Sequence, residues 1–242
     1  MKISSSQLAG IIDHTLLKPD AISEEVTHLC EEALECGFAT VCINPVHVRL
    51  CADQLAGSEI GVCTVVGFPL GASSTAEKVA AVSQTLEDGA VEFDMVMNIG
   101  AFKDGDFATV GSDIEAVVEA AESNTVKVII ETCLLKDDEK KEAALIVRDS
   151  GANFVKTSTG FSLGGATLLD VTLLRETVGD NMGVKASGGI KSFRNALSLV
   201  EVGASRLGAS AGVSIVTEAQ LSGDSDNRSE SEIDDASSEK RG

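Results

Sequence analysis

Short apolar runs alternate along this chain with longer stretches of helical period. The runs IIDHT (11–15), FATVCI (38–43), IGVCTVVGF (60–68), VEFDMVMNI (91–99), VKVIIET (126–132), NFVKTS (153–158), MGVKAS (182–187) and ASRLGA (204–209) predict eight β-strands. In ISEEVTHLCEEALECG, the apolar residues Val26, Leu29, Cys30, Ala33 and Leu34 repeat with helical spacing. Ser23 is expected to cap the start of that helix and Gly37 to end it. Residues 74–89, 107–124, 137–150, 165–178 and 192–202 show the same pattern. Successive strands lie roughly 22 to 35 residues apart, the size of one βα unit.

Strands that alternate with helices predict a parallel sheet. Eight units in about 250 residues predict a (β/α)8 barrel, an α/β fold. The competing arrangement, an open doubly wound sheet, is expected to carry a glycine-rich fingerprint after its first strand. Here HTLLKPD follows, without a glycine. From about residue 222 the periodicity stops. That segment holds seven acidic and three basic residues, and Ile233 is its one strongly apolar residue besides Ala. The expected organisation is a catalytic barrel over 1–221 and a disordered acidic tail over 222–242.

Composition narrows the function. The 242 residues are 43% hydrophobic with no Trp and no Tyr, so the core must be aliphatic with some Phe. A net charge of −19 argues against nucleic acid and anionic membranes as partners, and fits both plain solubility and life at high salt. The apolar runs fall short of the ~20 residues of a membrane span. The N-terminal MKISSSQLAG has no signal-peptide core, so a cytoplasmic location is expected. The six cysteines show no zinc spacing and read as small buried hydrophobes in a reducing compartment.

In a (β/α)8 barrel the site collects at the C-terminal strand ends. Those ends here offer Asp13 and His14, Cys42 and Asn44, Asp94 and Asn98, Glu131 and Thr132, then Lys156, Lys185 and Ser210. Lys156 and Lys185 stand out. Both follow Val in near-copies, FVKTSTGF and GVKASGGI, on strands expected to be neighbours. At pH 7 an ordinary lysine is about one part in two thousand free amine, and bringing its pKa to about 7 costs roughly 4–5 kcal/mol. Desolvation and a second ammonium both act in that direction. One charged and one neutral lysine suit Schiff-base chemistry on a carbonyl. Structural pairing of each lysine with a carboxylate such as Asp94 or Glu131 is the alternative.

The loops after strands 6, 7 and 8 carry Thr159 and Gly160, Gly188 and Gly189, and Gly208 and Ser210. Such loops can cradle a phosphate on backbone N–H groups, or serve as ordinary tight turns. No nucleotide P-loop motif is present. The three histidines, His14, His28 and His47, are scattered, so neither a metal site nor any other cofactor is expected.

The strings DHTLLKP (13–19), VCINP (41–45), VVGFPLG (65–71), VEFDMVMNIGA (91–101), VKVIIETCLL (126–135), FVKTSTGF (154–161), GVKASGGI (183–190) and RLGASAG (206–212) resemble the deoxyribose-phosphate aldolase family. The resemblance runs in order to about residue 218. It implies a metal-free, Schiff-base aldolase on a (β/α)8 barrel. The implied reaction interconverts 2-deoxy-D-ribose 5-phosphate with D-glyceraldehyde 3-phosphate and acetaldehyde. It implies Lys156 as the Schiff-base lysine, Lys185 as the lysine that tunes it, and Asp94 in proton transfer. It also implies Asp13 as a substrate contact, and Thr159, Gly160, Gly188, Gly189, Gly208 and Ser210 around the substrate and its phosphate. Dimers or tetramers are common in the family. Some members carry a lysine after K-T-S-T-G; here the residue is Phe161, which shifts phosphate binding toward backbone N–H groups. Other Schiff-base barrels, such as ketose-phosphate aldolases or transaldolases, and a silent metabolite-binding barrel are the competing readings.

Overall fold

In a computed structural model, described here for residues 3–222, the eight strands close into one parallel barrel in the order β1 to β8. They are β1 (Ile12–Leu16), β2 (Thr40–Ile43), β3 (Gly61–Val66), β4 (Glu92–Val96), β5 (Thr125–Ile129), β6 (Phe154–Lys156), β7 (Gly183–Ser187) and β8 (Arg206–Ala209). Strands covered by helices outside and by side chains inside are buried on both faces. That is why these segments read as continuous apolar runs: every residue of β2 is buried, as is all but the first of β4, β5 and β7. The acidic tail expected over 222–242 lies outside the described residues, except for Ser222. Among the described residues no helix is long and apolar enough to cross a membrane.

The outer ring is formed by α2 (Ser23–Cys36), α3 (Val48–Gln54), α4 (Thr75–Glu87), α6 (Phe107–Ala120), α7 (Asp137–Asp149), α8 (Leu168–Val178), α9 (Phe193–Glu201) and a helix over 212–222, α10. Two one-turn helices, α1 (Ser5–Ala9) and α5 (Ile99–Lys103), accompany them. The helices absent from the sequence pattern are α1, α3, α5 and α10; the first three span at most seven residues, too few turns to show a period. The expected strand 91–99 ends early for a local reason. Asn98 turns its side-chain oxygen onto the Ala101 N–H and caps α5.

Capping explains the other boundaries, with one correction. Ser23 does not cap α2. The cap position falls on Ile22, whose N–H is taken by the Glu25 carboxylate, while Gly37 ends the helix in the left-handed conformation as expected. Ser74, Asp106, Thr167 and Ser192 do cap α4, α6, α8 and α9 with their side chains.

The aliphatic core lies between strands and helices, as Phe93, Met95, Val128, Ile130, Val155 and Val184 show, all fully buried. Beyond it, one buried ion pair locks the outer layer to the barrel. Lys78 of α4 is fully buried, donates to Asp113 of α6 and to the Val96 carbonyl at 2.9 Å, and the Thr75 hydroxyl also donates to Asp113 at 2.8 Å.

Candidate active site

The barrel interior is filled by charge where an aliphatic layer is the usual solution. Register brings the charges together. Lys156 pairs directly with Lys185 across β6 and β7, and Asp94 with Lys127 across β4 and β5. Alternation along each strand then points these side chains inward.

Asp94 is the hub. One carboxylate oxygen accepts from Lys156 at 2.6 Å and from Lys185 at 2.6 Å; the other accepts from Lys127 at 2.8 Å and from the Cys63 thiol at 3.3 Å. Asp13 takes the remaining side of Lys185 and accepts from Arg206 at 2.5 Å and from Thr40 at 2.8 Å. Glu92 bridges Arg206 and Lys127, at 2.8 and 2.6 Å. Asp13, Asp94, Lys127, Lys156 and Lys185 are all at most 3% exposed.

Burying isolated ions would cost several kcal/mol each, so the pairing sets the protonation states. Burial alone would raise the pKa of Asp94 and of Asp13. The facing cations outweigh it and hold both carboxyls below their usual range. Burial alone would lower Lys185, Lys127 and Arg206; Asp13, Asp94 and Glu92 outweigh it and hold all three charged. Four cations therefore face three carboxylates in one linked network. With Lys156 as free amine the network is neutral. Lys156 is also the lysine of the set that reaches a cleft, one of about 250 Å³ open at the strand C-termini.

The cleft brings the glycine-rich loops to Lys156. Gly160, Gly188, Gly189, Gly208 and Ser210 line it, together with Thr159. Gly208 is needed for space: a Cβ there would stand 3.1 Å from the Lys185 Cε. Gly188 needs its positive φ of 87° to make the turn. Thr159 lines the cleft and is held from behind. Its N–H and its hydroxyl both donate to Glu131, so its donors are already taken. Asp13 lies below the cleft, against Lys185 and Arg206, and does not line it.

Three network members escaped the sequence reading: Lys127, Arg206 and Glu92. Lys127 sits in the middle of β5, and Glu92 and Arg206 open β4 and β8, so none lies at the C-terminal strand ends where the site was expected. A charged residue breaking an otherwise apolar run, as in VKVII, was the available signal. Lys18 and Lys191 also line the cleft and were not singled out. His14 is buried but does not line the cleft; its ring leans on Phe38 at a 35° tilt with centroids 4.7 Å apart and is bonded to Glu32 of α2 at 2.7 Å. Cys42, Cys63 and Asp94 hold metal-type ligand atoms within 4.8 Å of one another, as do Asp13, Cys63 and Glu92. The Lys127 ammonium stands among the second group, 3.6 Å from Asp13, 3.3 Å from the Cys63 sulfur and 2.6 Å from Glu92. All six cysteines are free thiols; Cys30, Cys42, Cys51 and Cys63 are buried as expected, Cys36 is half-buried and Cys133 is exposed.

A family model described as DeoC/LacD family aldolase matches residues 8–218. The chain belongs to that aldolase family. The chain is 56% identical over 213 residues to deoxyribose-phosphate aldolase 1 of Bacillus licheniformis, covering 88% of this chain and 96% of the relative. It is 53% identical over 215 residues to a deoxyribose-phosphate aldolase of Clostridium tetani, covering 88% of this chain and all of the relative. Among solved structures, one described as a putative deoxyribose-phosphate aldolase from Coccidioides immitis superposes with a TM-score of 0.87 at 41% identity, over 90% of this chain and 87% of that one. A deoxyribose-phosphate aldolase from Aeropyrum pernix, described as having a unique tetrameric structure, gives 0.84 at 34% identity, over 88% and 91%. In this aldolase four of the motif strings, DHTLLKP, FVKTSTGF, GVKASGGI and RLGASAG, line the cleft.

Proposed function

We propose that this aldolase cleaves 2-deoxy-D-ribose 5-phosphate reversibly to D-glyceraldehyde 3-phosphate and acetaldehyde through a Schiff base on Lys156. The observation that carries the roles is the shared carboxylate oxygen of Asp94, 2.6 Å from both Lys156 and Lys185 in a network with one cation in excess.

As free amine, Lys156 attacks C1 of the open-chain sugar phosphate. Loss of water gives an iminium that serves as electron sink. Asp94, or a water it orients, takes the C3 hydroxyl proton; the C2–C3 bond breaks, its electrons pass to the iminium, and glyceraldehyde 3-phosphate leaves. Protonation of the enamine at C2 and hydrolysis of the new iminium release acetaldehyde and restore the amine. Lys185 and Lys127 stay charged throughout and keep Asp94 anionic between turnovers. Asp13 holds Lys185 in place. The phosphate sits at the loops carrying Gly160, Gly188, Gly189, Gly208 and Ser210. Lys18 and Lys191 supply, from the cleft wall, the positive charge that Phe161 does not.

Reaction with borohydride in the presence of 2-deoxyribose 5-phosphate tests this reading. A reduced adduct is expected on the peptide carrying Lys156; its absence overturns the Schiff base. Turnover with acetaldehyde as donor separates this activity from a ketose-phosphate aldolase. Breakdown of deoxynucleotide sugar, a cytoplasmic location and assembly into dimers or tetramers belong to the same proposal, and the tetramer described for the Aeropyrum neighbour supports the last.

A further inference from the structure

Glu131 combines two features that are unusual in one residue. Its backbone is left-handed, at φ 54° and ψ 68°, although it is not glycine. Its carboxylate is buried, at 2% exposure. No cation is paired with it among the described residues. Its partners are the Thr159 N–H, 3.3 Å from each carboxylate oxygen, the Thr159 hydroxyl at 2.5 Å, and the Cys133 thiol at 3.9 Å. Backbone held in a sparsely populated region persists where its surroundings over-determine it, and such positions cluster at functional sites.

The contacts continue in one direction. The Thr159 hydroxyl, having donated to Glu131, accepts the Phe161 N–H at 3.0 Å. The Phe161 ring then meets Phe68 edge-on at 5.2 Å. Gly160, between these two anchored residues, turns at φ 82° and faces the Gly188 turn. Below the loop, the Thr132 N–H donates to the Thr157 carbonyl at 2.9 Å. The end of β5 thus grips the loop after β6 at Thr157 and Thr159, just before Gly160 in the cleft wall. The short contacts of the carboxylate go to Thr159, so it is turned onto the loop.

We propose that Glu131 is a positioning residue that sets the β6 loop, through Thr159, so that Gly160 can meet the substrate phosphate. This rests on the reading of the cleft as a 2-deoxyribose 5-phosphate site. Glu131→Gly is the sharpest probe, because glycine takes the left-handed backbone freely, so the side chain with its carboxylate is removed without adding backbone strain. In this variant kcat/KM for 2-deoxyribose 5-phosphate is expected to fall at least tenfold, mainly through KM. With unphosphorylated 2-deoxyribose it is expected to stay within threefold, and the melting temperature within a few degrees. Glu131→Gln, which keeps an acceptor oxygen for Thr159, is expected to hold the phosphorylated substrate within threefold of the parent. An equal fall with both substrates, no fall with either, loss of folding in Glu131→Gly, or a tenfold loss in Glu131→Gln would each overturn the proposal. Absence of a borohydride adduct in the unaltered protein would instead sink the functional reading on which it rests.

Discussion

Lys78→Met breaks the one ion pair that joins α4, α6 and the end of β4, and its cost can be worked from the contacts. Methionine replaces the stem of Lys78 with little change in volume, so the packing against Gly67, whose added Cβ would lie 2.8 Å from the Lys78 Cε, is kept. What disappears is the ammonium. Asp113, at 2% exposure, retains only the Thr75 hydroxyl, and the Val96 carbonyl loses its donor. Breaking a buried pair from one side costs about 3–5 kcal/mol. In a domain of this size about 1 kcal/mol lowers the melting temperature by roughly 2–4 °C, so a fall of about 6–20 °C is expected. Lys78→Met/Asp113→Leu removes the stranded charge. Thr75 is half-buried and can turn to water, which leaves mainly the unsatisfied Val96 carbonyl, at about 1–3 kcal/mol or roughly 2–12 °C. Thermal unfolding followed by circular dichroism gives the order: parent, then double variant, then single. A double variant no more stable than Lys78→Met would refute the account of the two residues as one coupled unit.

Other consequences are open to direct measurement. Lys185→Leu takes a cation from both Asp13 and Asp94; activity at pH 7 is expected to fall at least a hundredfold, and steady-state rates within tenfold of the parent would count against the paired-lysine mechanism. Lys18→Ala and Lys191→Ala each remove a charge from the cleft wall and should raise KM for the phosphorylated substrate several-fold with little change in kcat; Phe161→Lys should lower it, and initial-rate kinetics would show if it does not. Stability should also follow the ionised network. Asp13 and Asp94 have lowered folded pKa values, so their contribution is complete above the unfolded carboxyl value of about 3.9 and is lost as pH falls below it. Lys185 and Lys127 have raised folded values, so their contribution is complete below about 10.4 and is lost only above it. Urea midpoints should therefore show these groups contributing evenly between about pH 5 and 10, and a loss of their contribution inside that window would contradict the network.

Much of this protein is legible without coordinates, because the features concerned are local. Burial on both faces makes each strand a short apolar run, and the covering helices carry a single apolar stripe, so the alternation of the two periods announces eight βα units. Lys156 and Lys185 stand out for the same reason: each follows a valine near a strand end, where an ammonium has no local partner. What only the tertiary structure decides is which charges share a space. Lys127 and Arg206 join the site because barrel closure and register bring β5 and β8 around to Asp94 and Asp13, and no spacing along the chain encodes that; Glu92 shares the inner face of β4 with Asp94, two residues on, but its partners Lys127 and Arg206 are set by closure alone. The same holds for Thr159. In sequence it is one more small polar residue in a phosphate-like loop. In the fold it faces Glu131, 28 residues earlier, and gives its donors to that carboxylate. Hydrogen-bond partners are a property of distance in space, and here the decisive ones lie across neighbouring strand ends.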